Sequence, residues 1–573
     1  MSFLGEIKRR KVFQVAAVYA VMAWLLIQVA DVVLPAFEAP TWILQVVIFL
    51  LIIGLPIALV FSWAFDLTRD GVVRDGGRSD SLKTSGRTIE FALIGLLLVA
   101  VGWIGFRELN LPDPGTGVLP NSVAVLPFEN LSPDPDNAYF AAGIHDTILG
   151  ELAKIRDMNV IARSSVLIYA DRQTSISQIA AELNVETIME GTVQYADDKV
   201  RITAQLIDPE TGSQLWSDTY DRDFSDIFVI QSEIAVRIAI ELEAELLPEE
   251  REWLATAPTD NMAALGAYYL GKQHLEERTA DDLLQSIEYF QSAVELDSGF
   301  AQAYSGLADA YMVLPEYSPS VDYEMVRIES EAAANAAYSL NPRLPEALTS
   351  MAWSRLIHEY DWDGSEQLLR RALDIQRQNL NALHWLSHVL SWRGEKEEAL
   401  ELAERAVVVD PVSPLMLANL SYIHMDARNF ERSMEIATGH PDFPTIQRTS
   451  WIAYMRDGEF EKAVDPLIAW AETTGRDADA ASQVAERIIN SQRHGNPADR
   501  TEELAVQLAL GSQSLPQVYA FLGDAESTLR TLDIALEERS GSRSVLSMKI
   551  NPAYDFIRAD PRFIRLLERV RLD

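Results

Sequence analysis

The sequence predicts a multidomain chain: N-terminal transmembrane helices, a small α/β domain with a mixed sheet, and an all-α superhelix of stacked helical repeats. Three observations predict it. Two long uncharged runs stand near the start, at residues 12–30 and 39–65. A stretch of alternating apolar and polar residues follows from about residue 119, and after it four alanines, Ala293, Ala337, Ala372 and Ala406, recur at intervals of 44, 35 and 34 residues. Apolar run, period two, then a long-range repeat are the respective signatures of a membrane span, a half-buried sheet and a helical array.

The expected organisation places a membrane segment at residues 1–110, with three transmembrane helices at about 12–33, 41–65 and 89–106. The third is the shortest, since its uncharged core covers only residues 91–106. Orientation follows the Lys and Arg residues beside each span. Lys8, Arg9, Arg10 and Lys11 precede the first; Arg69, Arg74, Arg78, Lys83 and Arg87 follow the second; residues 31–41 have none. The pattern predicts a multi-pass protein of a bacterial inner membrane, with the large C-terminal region in the periplasm.

Residues 111–118 (LPDPGTGV) read as a linker. From 119 to 248 the order is β-α-β-α-β-β-β-α: strands near 122–128, 159–162, 187–195, 200–207 and 214–220, helices near 137–155, 175–183 and 227–247. Such an order makes one small mixed-sheet α/β domain.

The array is expected over 260–472, with further helical repeats and a cap over 473–573. Its first interval is long because residues 312–321 are inserted, and Pro342 and Pro411 fall five residues after their alanines, where a second helix should stop. Ahead of the alanines, Leu307/Ala308/Tyr311, Leu348/Met351/Ala352, Leu383/Leu386/Ser387/Leu390 and Leu417/Leu420/Ser421 set large and small residues on one helix face. Each helix pair cannot bury its apolar face alone, so neighbours must stack.

Spacing and residue types together resemble the tetratricopeptide repeat (TPR) family, best over 380–411 (LNALHWLSHVLSWRGEKEEALELAERAVVVDP), with Gly394 at the turn between helices. The string SVAVLPFENLSPDPDNAYFAAGIHDTI and the later ETIMEGTVQYADDKVRITAQLIDPETGSQLWSDTYDR resemble the TolB amino-terminal and FlgO-like domains. That resemblance implies an interaction module. The whole chain resembles bacterial membrane-anchored TPR proteins often labelled adenylate-cyclase-like or transcriptional-regulator-like, and it is expected to lack their cyclase or winged-helix domain.

Formal net charge is −37, and because residues 1–106 hold nine basic and eight acidic side chains, the deficit belongs to the rest. An acidic surface repels phosphate backbones, so no nucleic-acid partner is expected. The chain has no cysteine, which removes disulfides, thiolate nucleophiles and Cys-type zinc sites. Phosphate-cradling glycine loops and nucleophile elbows are missing as strings. His384 and His388 stand four apart, yet Trp385 occupies the position a zinc protease gives to Glu. Asp134, Asp136 and Asn137 open like a calcium loop, but its glycine is lacking and His145 stands where a Glu should be. No catalytic residue, metal or cofactor is expected.

In a repeat array the first helix of each pair lines the concave face. The register assigns to a partner-binding groove Asp309, Thr349, Trp353, Asn381, His384, His388, Trp392 and Tyr422, with Gln302, Ser305, Glu346 and Asp426 in the same register. Aromatic and amide groups there suit a peptide backbone; for Trp353 and Trp392 the competing role is packing between helices. The expected function is a non-enzymatic membrane-anchored TPR scaffold for protein or peptide partners. The alternative is a sensory or regulatory subunit whose α/β domain binds a ligand.

Overall fold

The computed structural model describes residue 19, residues 65–68 and 71–74, and residues 119–572 apart from 133–137, 171–172, 197–198, 224–225, 255, 278, 319–320, 440–443, 474–476, 495–514 and 539–542. The chain divides into two compact units, Met1–Pro112 and Asp113–Asp573. In the first, β1 (Phe65–Thr68) and β2 (Gly71–Arg74) form an antiparallel hairpin.

The expected membrane architecture is corrected. No helix among the described residues is long and apolar enough to cross a membrane. The strand β1 also begins at Phe65, where the second span was expected to end. The segments 12–33, 41–65 and 89–106 otherwise lie outside the described residues, Tyr19 excepted. With the spans go the multi-pass inner-membrane location and the periplasmic placement.

The second unit opens with a six-stranded mixed sheet of order β5-β3-β6-β7-β8, with β4 beside β6. Its strands are β3 (Leu119–Val125), β4 (Glu129–Asn130), β5 (Asn159–Val160), β6 (Val185–Ala196), β7 (Lys199–Ile207) and β8 (Gln214–Asp223). β3 runs parallel to β5 and β6, while β6, β7 and β8 form an antiparallel meander. Alternation decides the faces. Val123, Val125, Met189, Val193, Ile202 and Leu206 pack on α1 (Ala138–Leu152) and α4 (Ile227–Glu241). Ala124, Leu126, Val185 and Ile188 pack on the opposite side, against α2 (Arg163–Leu167) and α3 (Ile176–Leu183). Ser175 caps α3 with a reciprocal capping box to Gln178. Helix α2 and strand β4 have no counterpart in the sequence pattern, and α4 stops at Glu241 rather than near 247.

After α5 (Pro248–Leu254), helices pair off: α6 (Met262–Glu277) with α7 (Ala280–Leu296), α8 (Ala301–Tyr317) with α9 (Tyr323–Leu340), α10 (Pro345–Glu359) with α11 (Trp362–Ile375), α12 (Leu380–Arg393) with α13 (Lys396–Val409), α14 (Pro414–Asp426) with α15 (Phe430–Gly439), and α16 (Pro444–Asp457) with α17 (Val464–Thr473). The four alanines are fully buried in α7, α9, α11 and α13. Each also ends its helix in the same way: its carbonyl accepts the capping N–H of the residue four later, Asp297, Asn341, Gln376 and Asp410 in turn. Gly394 closes α12 with φ of +99°, a conformation that favours glycine. Helices α18 (Ala478–His494), α19 (Leu515–Phe521), α20 (Ala525–Glu537), α21 (Arg543–Leu546) and α22 (Pro561–Arg569) complete the chain.

Sheet and array share one core. Tyr269 of α6, Ala293 of α7 and Phe300 just before α8 belong to the cluster that includes α1 and α4. The turns between successive repeats then seat the α/β part. Arg156 donates to the Asp374 carbonyl at 3.1 Å, Gln378 accepts from the Val160 N–H at 3.0 Å, and the Ala162 N–H donates to the Val409 carbonyl at 2.8 Å. Asp410 accepts from Ser165 at 2.6 Å and also from Ser164.

Candidate functional site

The first-helix face of the array is built by the stripes that sequence periodicity marks. On α12, His384, His388 and Trp392 follow one another at four-residue spacing and so line up on one face. The ring of His388 lies over that of Trp392 with centroids 5.0 Å apart and planes 9° from parallel. Trp353 of α10 stacks on Trp385 at 3.7 Å, which ties neighbouring pairs together. Of the eight groove residues, Thr349, Trp353, His384, His388, Trp392 and Tyr422 are buried, Asp309 is half-buried and accepts from Ser350 at 2.7 Å, and Asn381 is exposed.

What covers the α12–α14 stretch is the chain's own C-terminal part. Leu546, Tyr554, Phe563 and Val570 are fully buried in the same cluster as Leu383, Leu386 and Leu390. The Trp362 indole N–H donates to the Val570 carbonyl at 2.7 Å, and Arg428 pairs with Asp555 at 2.7 Å. At the centre stands Arg543. Its guanidinium donates to Nε2 of His388 at 2.8 Å and lies 3.9 Å from the centroid of the Tyr422 ring and 5.8 Å from that of Trp392. A guanidinium over an aromatic face, desolvated, is a cation–π contact.

The electrostatics fit this arrangement. Burial, reinforced by the Arg543 charge, holds His388 well below the usual histidine range, so the ring is neutral. Because Arg543 donates to Nε2, the proton is assigned to Nδ1, an atom without a hydrogen-bond partner among the described residues. Behind it, Asp426 and Arg456 form an almost fully buried ion pair at 3.1 Å. Burial raises Asp426 despite the pull of Arg456 and Arg543. The slot is thus a neutral imidazole and two aromatic rings around the Arg543 guanidinium, whose charge is also felt by the Asp426 carboxyl behind them. Asp426 lay in the predicted register; Arg543 and Arg456 did not, because both come from outside the best repeat match.

A second charged cluster pins the α/β part to the first repeat. Lys272 of α6 pairs with Asp146 of α1 at 2.5 Å, and Arg163 pairs with Glu276. Burial alone would raise Asp146, but Lys272 and Arg163 outweigh it and the net shift is downward. Lys272 is raised, since Asp146 overcomes the opposite push of burial. Both charges therefore persist. Nearby, burial drives His145 down to about 4, and its Nε2–H donates to the Val125 carbonyl at 2.8 Å. The residues that opened like a calcium loop, 134–137, lie outside the described residues. No group of three or more metal-ligating side chains occurs among the described residues.

No family model matches this chain. A curated relative, the "Putative adenylate cyclase 3" of Rhizobium meliloti (strain 1021), is 34% identical over 197 residues, which are 34% of this chain and 33% of that protein. The chain thus matches about a third of that relative's length. Among solved structures, human IFIT1 bound to PPP-AAAA is similar over 61% of this chain and 88% of its own, at 13% identity and a TM-score of 0.31. The lipoprotein GNA1162 of Neisseria meningitidis aligns over 21% of this chain and 97% of its own, at 20% identity and a TM-score of 0.18. Both structural likenesses are weak.

Proposed function

We propose that this chain is a non-enzymatic scaffold whose helical-repeat array binds protein or peptide segments on the face built by the first helices of its pairs. One observation carries the reading: that face already holds a chain segment, with Arg543 gripped between His388, Tyr422 and Trp392. The chemistry of this slot selects a guanidinium over an ammonium, because a planar cation both stacks on rings and donates sideways. The strongly acidic composition favours basic partners and disfavours nucleic acid. The α/β part, which resembles the TolB amino-terminal domain, supplies a second interaction surface.

A peptide array tests this. Each sequence is printed twice, once with arginine and once with glutamine at the same position, and probed with the intact chain and with its Arg543→Ala variant. The reading expects a subset of peptides to bind in an arginine-dependent way, more strongly to the variant. Binding to neither chain would overturn it. Formation of cyclic AMP from ATP by the purified chain would overturn the non-enzymatic part, and the name of the Rhizobium relative makes that the turnover to measure.

A further inference from the structure

We infer that the chain self-associates through α4, packed antiparallel on α4 of a second copy about a two-fold axis. Helix α4 is apolar on more than the one face its own core consumes. Ile227, Ile230, Ile234 and Ile238 are buried against the sheet and α1. On the outside Val229 is 57% and Ile240 53% exposed. Beside them a groove of about 420 Å³, lined by Phe228, Val236, Leu254 and Ala257, runs between α4 and the C-terminal end of α5. An amphipathic helix with one buried face needs polar residues there; an apolar stripe at that place marks an interface.

The charges identify the occupant. Glu233 and Arg237 stand four apart beside the groove, the order in which a helix pair forms most readily. Arg237 instead turns to Glu241 at 2.8 Å, and Glu233 forms no ion pair among the described residues. Val229 and Ile240 are about 16 Å apart along the axis. A two-fold axis midway between them sets Val229 on Ile240 of the second copy, and Glu233 beside Arg237 of the second copy, twice over. A patch whose opposite charges flank the axis, between an apolar residue at either end, is complementary to itself under that operation. This inference is independent of the first-helix groove.

The chain has no cysteine, so introduced thiols report alone. In full-length protein the Val229→Cys/Ile240→Cys double variant is expected to oxidise to a covalent dimer. Either single variant should not, because its two identical positions stand about 16 Å apart across the axis, beyond disulfide reach. Sedimentation of the unmodified chain should show a dimer, weakened about tenfold by Glu233→Arg and restored by Glu233→Arg combined with Arg237→Glu. A chain monomeric at every concentration, single variants that cross-link as readily as the double, a charge exchange that fails to restore, or a monomer whose groove takes up an apolar dye would each overturn the inference.

Discussion

Asp410 accepts a hydrogen bond from Ser165 at 2.6 Å across 245 residues of chain, and this contact joins the α/β part to a turn of the array. Asp410 caps the end of α13, so the residue that closes a repeat also receives the sheet domain. Removing its carboxylate leaves the fully buried Ser165 hydroxyl without its acceptor, while the exposed Ser164 hydroxyl can turn to water. Asp410→Ala is expected to cost about 2 kcal/mol, read as a lower denaturation midpoint at unchanged slope. Asp410→Asn keeps an acceptor and should cost less.

The pH profile separates two buried groups of opposite sign. His145 is held at about 4 against an ordinary value of 6.5, so the unfolded chain binds its proton more readily. Its contribution is present above pH 6.5 and lost as pH falls toward 4, at most about 3 kcal/mol. Asp410 is raised by burial in spite of its serine donors, so its contribution is full below the ordinary aspartate value and lost as pH rises through the raised one. His145→Gln, whose amide can still donate to Val125, should flatten the acid side of the stability profile. An unchanged profile would place His145 outside the core.

Gly143 of α1 meets Tyr269 of α6, and a Cβ there would stand 2.2 Å from the ring. The ring is held in place, since Tyr269 also bonds Thr147 at 2.8 Å. Gly143→Ala should therefore destabilise by about 1–3 kcal/mol through overpacking, although alanine favours a helix. Gly150→Ala, one helix position with open space around it, is the control. Thermal denaturation of both variants checks the pair.

Arg543→Ala removes a charged donor from His388 and a cation from two rings. A loss of about 2–3 kcal/mol is expected, localised to the C-terminal segment, where hydrogen exchange over residues 544–572 should speed up. Arg543→Lys keeps the charge without the planar fork and should fall between. Uniform exchange in both variants would mean that the segment is held by its apolar contacts alone.

Local pattern carried much of this architecture. The buried alanines, the large and small stripes, the turn at Gly394 and the period-two strands all depend on residues within one helix pair or hairpin, where spacing alone sets the face. The site was legible only in part. Periodicity placed His388, Trp392, Tyr422 and Asp426 on first helices, but their surroundings depend on Arg543, 155 residues away from His388. No periodicity spans that distance. A fainter signal was available in the polar residues four after each alanine, Asp297, Asn341, Gln376 and Asp410, of which Asp410 became a docking acceptor. The uncharged N-terminal runs met the length rule for spans, yet no described helix realises one.

Hydrogen exchange on the intact chain, with and without an arginine peptide selected from the array, tests the scaffold reading most directly. The prediction is added protection over α12 and α14, lost when the peptide's arginine is replaced by glutamine. Protection confined to the α/β part, or none at all on these helices, would contradict it.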